Sequence, residues 1–154
     1  MSPQHDLHHH LAGLPVELDA RIADHFDDVV IEVSAVNLPQ LAVELKAIGF
    51  DRLGMVTAVD WGDEFEMVYR VTSRSLSASA FVKTRIGRDD AHIASLCDVW
   101  SAANWQEREV FDLFGIDFVG HPDMRRILLP EEWPGWPLRK DYHDPNVISR
   151  PDYI

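Results

Sequence analysis

Residues 107–130 read EREVFDLFGIDFVGHPDMRRILLP and gather most of the groups in this chain that could do chemistry. The carboxylates Glu107, Glu109 and Asp112 precede one imidazole, His121, and the guanidinium pair Arg125 and Arg126. Carboxylates near a histidine are the raw material of general acid–base hydrolysis, with Glu107, Asp112 and His121 as the candidate set. Against it, Glu107 and Glu109 are two positions apart, and on a helix such neighbours point in different directions. The flanking residues favour a structural ion-pair system instead. A helix starting near Asn104 puts Glu107, Phe111 and Phe114 on one face, at i, i+4 and i+7. A carboxylate beside two phenylalanines is costly unless it is paired and hydrogen-bonded. Arg125 and Arg126 return after a turn at His121-Pro122, and an arginine fork suits a buried carboxylate better than lysine does. The expectation is that Glu107 or Glu109 pairs with Arg125 or Arg126. Asn104 and Glu107 also have capping-box spacing, and Gly115 is placed to end the helix.

The other reactive side chains are scattered. His5, His8, His9 and His10 crowd the first residues, where a mobile leader over 1–12 is expected rather than a metal site. His92, His121 and His143 lack ligand spacing, and His121, before a proline in a turn, reads as a structural hydrogen-bonding residue. Cys97 is the one cysteine. It excludes an intrachain disulfide and any cysteine-only zinc or iron–sulfur site, and reads as a small buried residue of a helical segment. There is no Gly-rich phosphate loop, no G-x-G-x-x-G after a strand and no G-x-S-x-G elbow. No catalytic, cofactor-binding or metal-binding residue is expected.

The spacing Glu107-Arg108-Glu109, two residues, Asp112-Leu113-Phe114, six residues, His121, three residues, Arg125-Arg126-Ile127 resembles one family's signature. That family is the C subunit (30-kDa subunit) of proton-translocating NADH:quinone oxidoreductase, respiratory complex I. The run Pro137-Leu138-Arg139-Lys140-Asp141-Tyr142 resembles its closing motif. Trp136 stands where relatives often have histidine, and Ser101 where many have proline. The resemblance implies a peripheral-arm subunit that holds no cofactor itself. FMN, iron–sulfur clusters and quinone belong to its partners, chiefly the 49-kDa-type (D) subunit and its neighbours in the peripheral arm. It implies a place on the cytoplasmic side of a bacterial membrane, attached only through the complex, and no independent activity. The equivalent subunit of a membrane-bound hydrogenase, or of a quinone oxidoreductase with another electron donor, carries a related motif.

The elements that must position these residues can be read from periodicity. Leu14 to Phe26 reads as a helix with Leu14, Leu18, Ile22 and Phe26 in one stripe. Asp28 to Val33 is a short strand. Leu38, Leu41, Leu45 and Ile48 mark a helix opened near Pro39 and closed by Gly49. Arg52 to Val59 and Phe65 to Thr72 are strands joined by an acidic turn at residues 60–64, and Ala78 to Ile86 is a third. Ala91 to Val99 reads as helical. Local hairpins with helices on one face make an α+β domain over 13–130, with a small antiparallel or mixed sheet.

Prolines 130, 134, 137, 145 and 151 bar regular structure after that point. The aromatic residues among them argue against disorder. An extended arm over 131–154 that packs on a partner is the expectation, with the core complete before it. Residues 1–66 carry 13 acids and 3 bases, a net of −10, whereas residues 67–154 carry 13 and 11, a net of −2. Nothing suggests a phosphate-tracking surface, so nucleic acid is not an expected partner. No apolar run is long enough to span a bilayer.

Overall fold

A computed structural model describes residues 3–25, 28–144 and 146–147. Period-2 alternation builds its centre. Five strands, β1 (Arg21–His25), β2 (Asp28–Glu32), β3 (Arg52–Asp60), β4 (Glu64–Ser73) and β5 (Ala78–Gly87), form one mixed sheet in the order β1-β2-β5-β4-β3. β2 and β5 run parallel, and the other neighbours are antiparallel. Register aligns Ile22, Ile31, Val82, Tyr69 and Val56 in a single row across all five strands. Those side chains point to the core face. The adjacent row, Arg21, Glu32, Lys83, Val68 and Thr57, points the other way and carries the charges.

Three helices complete the core: α1 (Pro3–Leu11), α2 (Leu38–Ile48) and α3 (Ala103–Phe114). Leu38, Leu41 and Leu45 of α2 meet Tyr69, Val71 and Val82 of the sheet around a cavity of only about 10 Å³, too small to matter for binding. Pro39 sits in the first turn of α2, and Gly49 ends it at φ +124°. α3 lies against β3, where the Gln106 side-chain oxygen accepts the Val56 N–H at 2.7 Å. Two short strands, β6 (His92–Ala94) and β7 (Asp117–Val119), pair in parallel on either side of α3 in sequence.

The α+β reading and the three central strands agree with the structure. Three local readings are corrected. Residues 14–25 are not a helix. A single 3-10 turn, Val16–Leu18, ends at Asp19 in the left-handed region (φ 47°), and β1 follows. Leu18 and Ile22 still reach the core, but through a turn and a strand pairing, so their spacing imitates a helical stripe. Phe26 lies outside the described residues. Residues 91–99 are likewise not a helix. β6 pairs with β7, the Ser95 N–H bonds Val119 O, and Ile93 and Leu96 are buried; non-local pairing outweighs propensity there. The expected leader contains α1, whose Leu7 and Leu11 enter the core.

The segment after Pro130 also departs from an arm reaching outward. The Leu138 N–H bonds Leu113 O at 3.0 Å, and the Lys140 N–H bonds an Asp60 oxygen at 2.9 Å. Residues 133–142 therefore close over the end of α3 and the β3–β4 turn. Of the tail residues read as arm, 145 and 148–154 lie outside the described residues.

Candidate functional site

α3 buries charge as well as hydrocarbon. Its buried residues are Ala103, Glu107, Arg108, Val110, Asp112 and Phe114, while Glu109 faces solvent. Positions 103, 107, 110 and 114 form one stripe, whereas 108 and 112 lie on the opposite face, where residues 125–129 cover them. The capping box read into Asn104 and Glu107 is not formed: Ala102 precedes the helix without a side-chain cap. Gly115 does end the helix, in the left-handed region at φ +70°.

The ion pair is made by a different carboxylate from the one expected. Arg126 donates to an Asp112 side-chain oxygen at 2.8 Å and to the Asp112 carbonyl at 3.0 Å. Its other guanidinium nitrogen reaches the carbonyls of Trp133 and Gly135, and the group lies 4.5 Å from the centroid of the Trp136 ring. The second Asp112 oxygen accepts three successive backbone N–H groups, from Ile127, Leu128 and Leu129, at 2.7–3.0 Å. Burial pushes the Asp112 carboxyl up, but the Leu129 N–H, Arg126 and the Leu128 and Ile127 N–H groups outweigh it and hold it below its ordinary range. Asp112 is thus the peg around which the 125–129 turn is wound. Arg108 supports the same turn by donating to the Arg125 and Arg126 carbonyls. The Arg125 guanidinium pairs with Asp123, at the surface.

Glu107 makes no such pair. One oxygen accepts the Leu96 N–H at 2.7 Å; the other accepts the Ser95 hydroxyl at 2.6 Å and the Cys97 thiol at 3.4 Å. All three donors are neutral. Burial raises the Glu107 pKa and these bonds offset it only in part. The Cys97 thiol is itself pushed up to about 11, by burial first and then by the Glu107 charge, against a lowering contact from Ser95. A thiol held protonated in this way is a poor nucleophile. His121 hydrogen-bonds to the backbone through both ring nitrogens. One ring nitrogen donates to the Asn104 carbonyl at 2.9 Å, and the other accepts the Asp123 N–H at 3.0 Å. Even so, Cys97, Glu107 and His121 each bring one ligand-type atom to within 4.8 Å of the others. Sequence spacing missed this cluster, because the three come from the β6–α3 connection, α3 and the turn after β7.

The closing motif forms a second clasp. Arg139 donates to the carbonyls of Phe114 and Gly115 at the end of α3, where unsatisfied acceptors and the helix dipole favour a cation. Arg88 bridges buried Asp60 and exposed Asp141, at 2.5 Å each. Burial raises the Asp60 carboxyl, but Arg88 and the Lys140 and Gly62 N–H groups bring it down to about 2. The Lys140 ammonium lies over the Trp61 ring, and the Tyr142 hydroxyl accepts the Trp133 indole N–H. Trp136 packs so closely on Gly115 that a Cβ there would lie 2.4 Å from the indole. Lys140 and Tyr142 therefore join Arg139 and Asp141 in holding the chain's own tail.

Comparison with known proteins gives a consistent picture. Residues 31–146 match the family described as respiratory-chain NADH dehydrogenase, 30 Kd subunit. The C subunit of NADH-quinone oxidoreductase from Trichlorobacter lovleyi is 50% identical over 97 residues, covering 60% of this chain and 60% of that relative. The subunit of the same name from Moorella thermoacetica is 42% identical over 127 residues, covering 80% of this chain and 86% of that one. Among solved structures, a trypsin-resistant fragment of Nqo5 superposes with TM-score 0.64 at 25% identity, over 80% of this chain and 99% of the fragment. A chain of the membrane-bound sulfane sulfur reductase, an archaeal respiratory membrane complex, superposes with TM-score 0.80 at 27% identity, over 98% of this chain and 95% of that one.

Proposed function

The chain belongs to the family of the 30 Kd subunit of respiratory-chain NADH dehydrogenase, and from that premise we propose that it is a non-catalytic subunit of an NADH:quinone oxidoreductase. In this reading the complex passes electrons from NADH through FMN and iron–sulfur clusters to quinone, coupled to proton translocation. This chain binds none of those redox groups and docks on the 49-kDa-type (D) subunit in the peripheral arm. Its contribution is to hold the quinone module together, since electron-transfer geometry tolerates little looseness. It sits on the cytoplasmic side of the bacterial membrane and is attached through its partners; no described helix is long and apolar enough to cross a bilayer.

The family match over residues 31–146 is the observation that carries this reading. The chemistry of the motif supports it. Asp112, Arg126, Arg108 and Arg139 all hydrogen-bond within this chain, to its backbone and to one another, as parts of a structural clasp. A tagged chain should co-purify from its native membranes with flavin- and cluster-bearing subunits, identified by mass spectrometry. Deleting its gene should abolish NADH:quinone activity while NADH oxidation by a hydrophilic artificial acceptor persists in the detached input module. A tagged chain recovered without any NADH-oxidising assembly sinks the reading.

The likeness to a sulfane sulfur reductase chain over 98% of this sequence favours one second reading, the equivalent subunit of a related complex. Such a complex includes a membrane-bound hydrogenase or an oxidoreductase fed by another donor. A purified assembly that oxidises hydrogen, or another donor, but not NADH would select it.

A further inference from the structure

Glu107 is fully buried, yet its hydrogen-bond donors are neutral: the Ser95 hydroxyl, the Leu96 N–H and the Cys97 thiol. A buried carboxylate ordinarily has a cation or a metal beside it. Asp112, further along the same helix, has Arg126. At Glu107 the side chains that converge are instead a thiol and an imidazole, all three within 4.8 Å of one another. These three residue types are zinc ligands, and three protein ligands with one open position is a known zinc arrangement.

We propose that Cys97, Glu107 and His121 form a binding site for a divalent cation of the zinc class. Bonds of about 2.0–2.3 Å to such an ion would set its ligands roughly 3.5 Å apart. Cys97 Sγ and Glu107 Oε2 are already 3.4 Å apart. The supporting shell is in place. Ser95 and the Leu96 N–H orient the carboxylate, the Ser95 hydroxyl oxygen also accepts the Cys97 N–H, and backbone groups fix the imidazole. Such outer contacts orient metal ligands and tune their basicity. Ligation costs His121 one of its two backbone contacts. The Asp123 N–H lies in an exposed turn, where water replaces a lost acceptor. A further buried polar atom, the Tyr69 hydroxyl, has no hydrogen-bond partner among the described residues and is close enough to feel the Glu107 charge.

The ion would supply a positive charge in direct contact with Glu107, and would tie the β6–α3 connection and the turn after β7 to α3. Binding converts the thiol to a thiolate and releases its proton to solvent, so affinity rises with pH. Zinc has no redox chemistry, so the site is separate from electron transfer. The expectation of no metal-binding residue rests on a single cysteine, the lack of a cofactor-binding loop and histidines without ligand spacing, whereas these three ligands are 10 and 14 residues apart in sequence.

The test uses the full chain after chelator treatment. Cys97 is the only cysteine, so its alkylation by iodoacetamide reads this site and no other. Zinc should slow alkylation by at least about tenfold, and chelator should restore it. Cobalt should produce a thiolate-to-metal charge-transfer band. Glu107→Gln and His121→Gln, checked for folding by circular dichroism, should each weaken protection by more than about tenfold. Replacing His8, His9 and His10 with Gln should leave it unchanged. Alkylation of the folded wild-type chain that is indifferent to zinc overturns the site, as does full protection in both ligand variants.

Discussion

Glu107 and Asp112 lie on one helix, five residues apart, and both have no exposed surface. Their surroundings answer the cost of burying a carboxylate in opposite ways. Asp112 receives a guanidinium and three backbone N–H groups, and its pKa falls. Glu107 receives three neutral donors, and its pKa rises. Burial alone therefore does not set the charge state of a carboxylate; the sum of its donors does. The two ends of α3 also do different work. Its C-terminal end organises a turn and a returning tail, whereas Glu107, nearer its N-terminal end, sits in a polar cluster whose hydrogen-bond donors to it are neutral.

The comparison is broken most directly at Asp112. Asp112→Asn leaves Arg126 without its counter-charge and turns an amide N–H₂ toward backbone donors. A loss of about 3–5 kcal/mol is expected, measured by denaturant midpoint. A loss under about 1 kcal/mol, the range of an exposed pair, would place Asp112 on a solvated face. Gly115→Ala tests whether the returning tail belongs to the same unit. Left-handed backbone costs a non-glycine residue about 1–2 kcal/mol, and the new methyl also meets Trp136. A total above about 2 kcal/mol, with altered Trp fluorescence, is expected; stability within error of wild type would detach the tail from the helix.

Glu107→Gln should cost far less, within about 1.5 kcal/mol in zinc-free buffer. It removes a poorly compensated charge and keeps an acceptor oxygen. Glu109→Gln, at the exposed position between the two nodes, serves as the neutral control. A Glu107→Gln loss as large as that of Asp112→Asn would mean that Glu107 has a cationic partner after all.

The smallest effects are in the pH dependence, where the two carboxylates carry opposite signs. A carboxyl with a raised folded pKa binds protons more readily folded than unfolded. Glu107 thus contributes stability that is full below its ordinary value of 4.5 and is lost as pH rises through its raised folded value. Asp112 and Asp60 have lowered values, so their contributions are present above 3.8 and are lost as pH falls; for Asp60 the window runs from 3.8 down to about 2. Denaturation midpoints across pH should show the acid-side loss shrink in Asp60→Asn and the fall above 4.5 shrink in Glu107→Gln. Parallel profiles for wild type and Glu107→Gln would show that Glu107 titrates alike folded and unfolded.

The sequence alone determined what depends on neighbours along the chain. The Leu38–Leu41–Leu45 stripe, the Gly115 stop, the alternation of β3 and β5 and the acidic turn between β3 and β4 all follow from periods and turn residues only a few positions long. The family signature was equally legible, because it is a fixed spacing. The tertiary structure decided everything that required choosing among partners. Arg126 had several carboxylates within reach in sequence, and the winding of residues 125–129 around α3 gave it Asp112. Residues 91–99 had helical composition, and β7 claimed three of them as a strand. The tail had proline and aromatic character compatible with reaching outward. The Lys140 N–H instead meets Asp60, a partner 80 residues earlier, because a buried carboxylate there needs donors that the β3–β4 turn cannot supply alone. Local periodicity sets which face of an element is apolar, but only packing determines which distant polar group satisfies a buried charge.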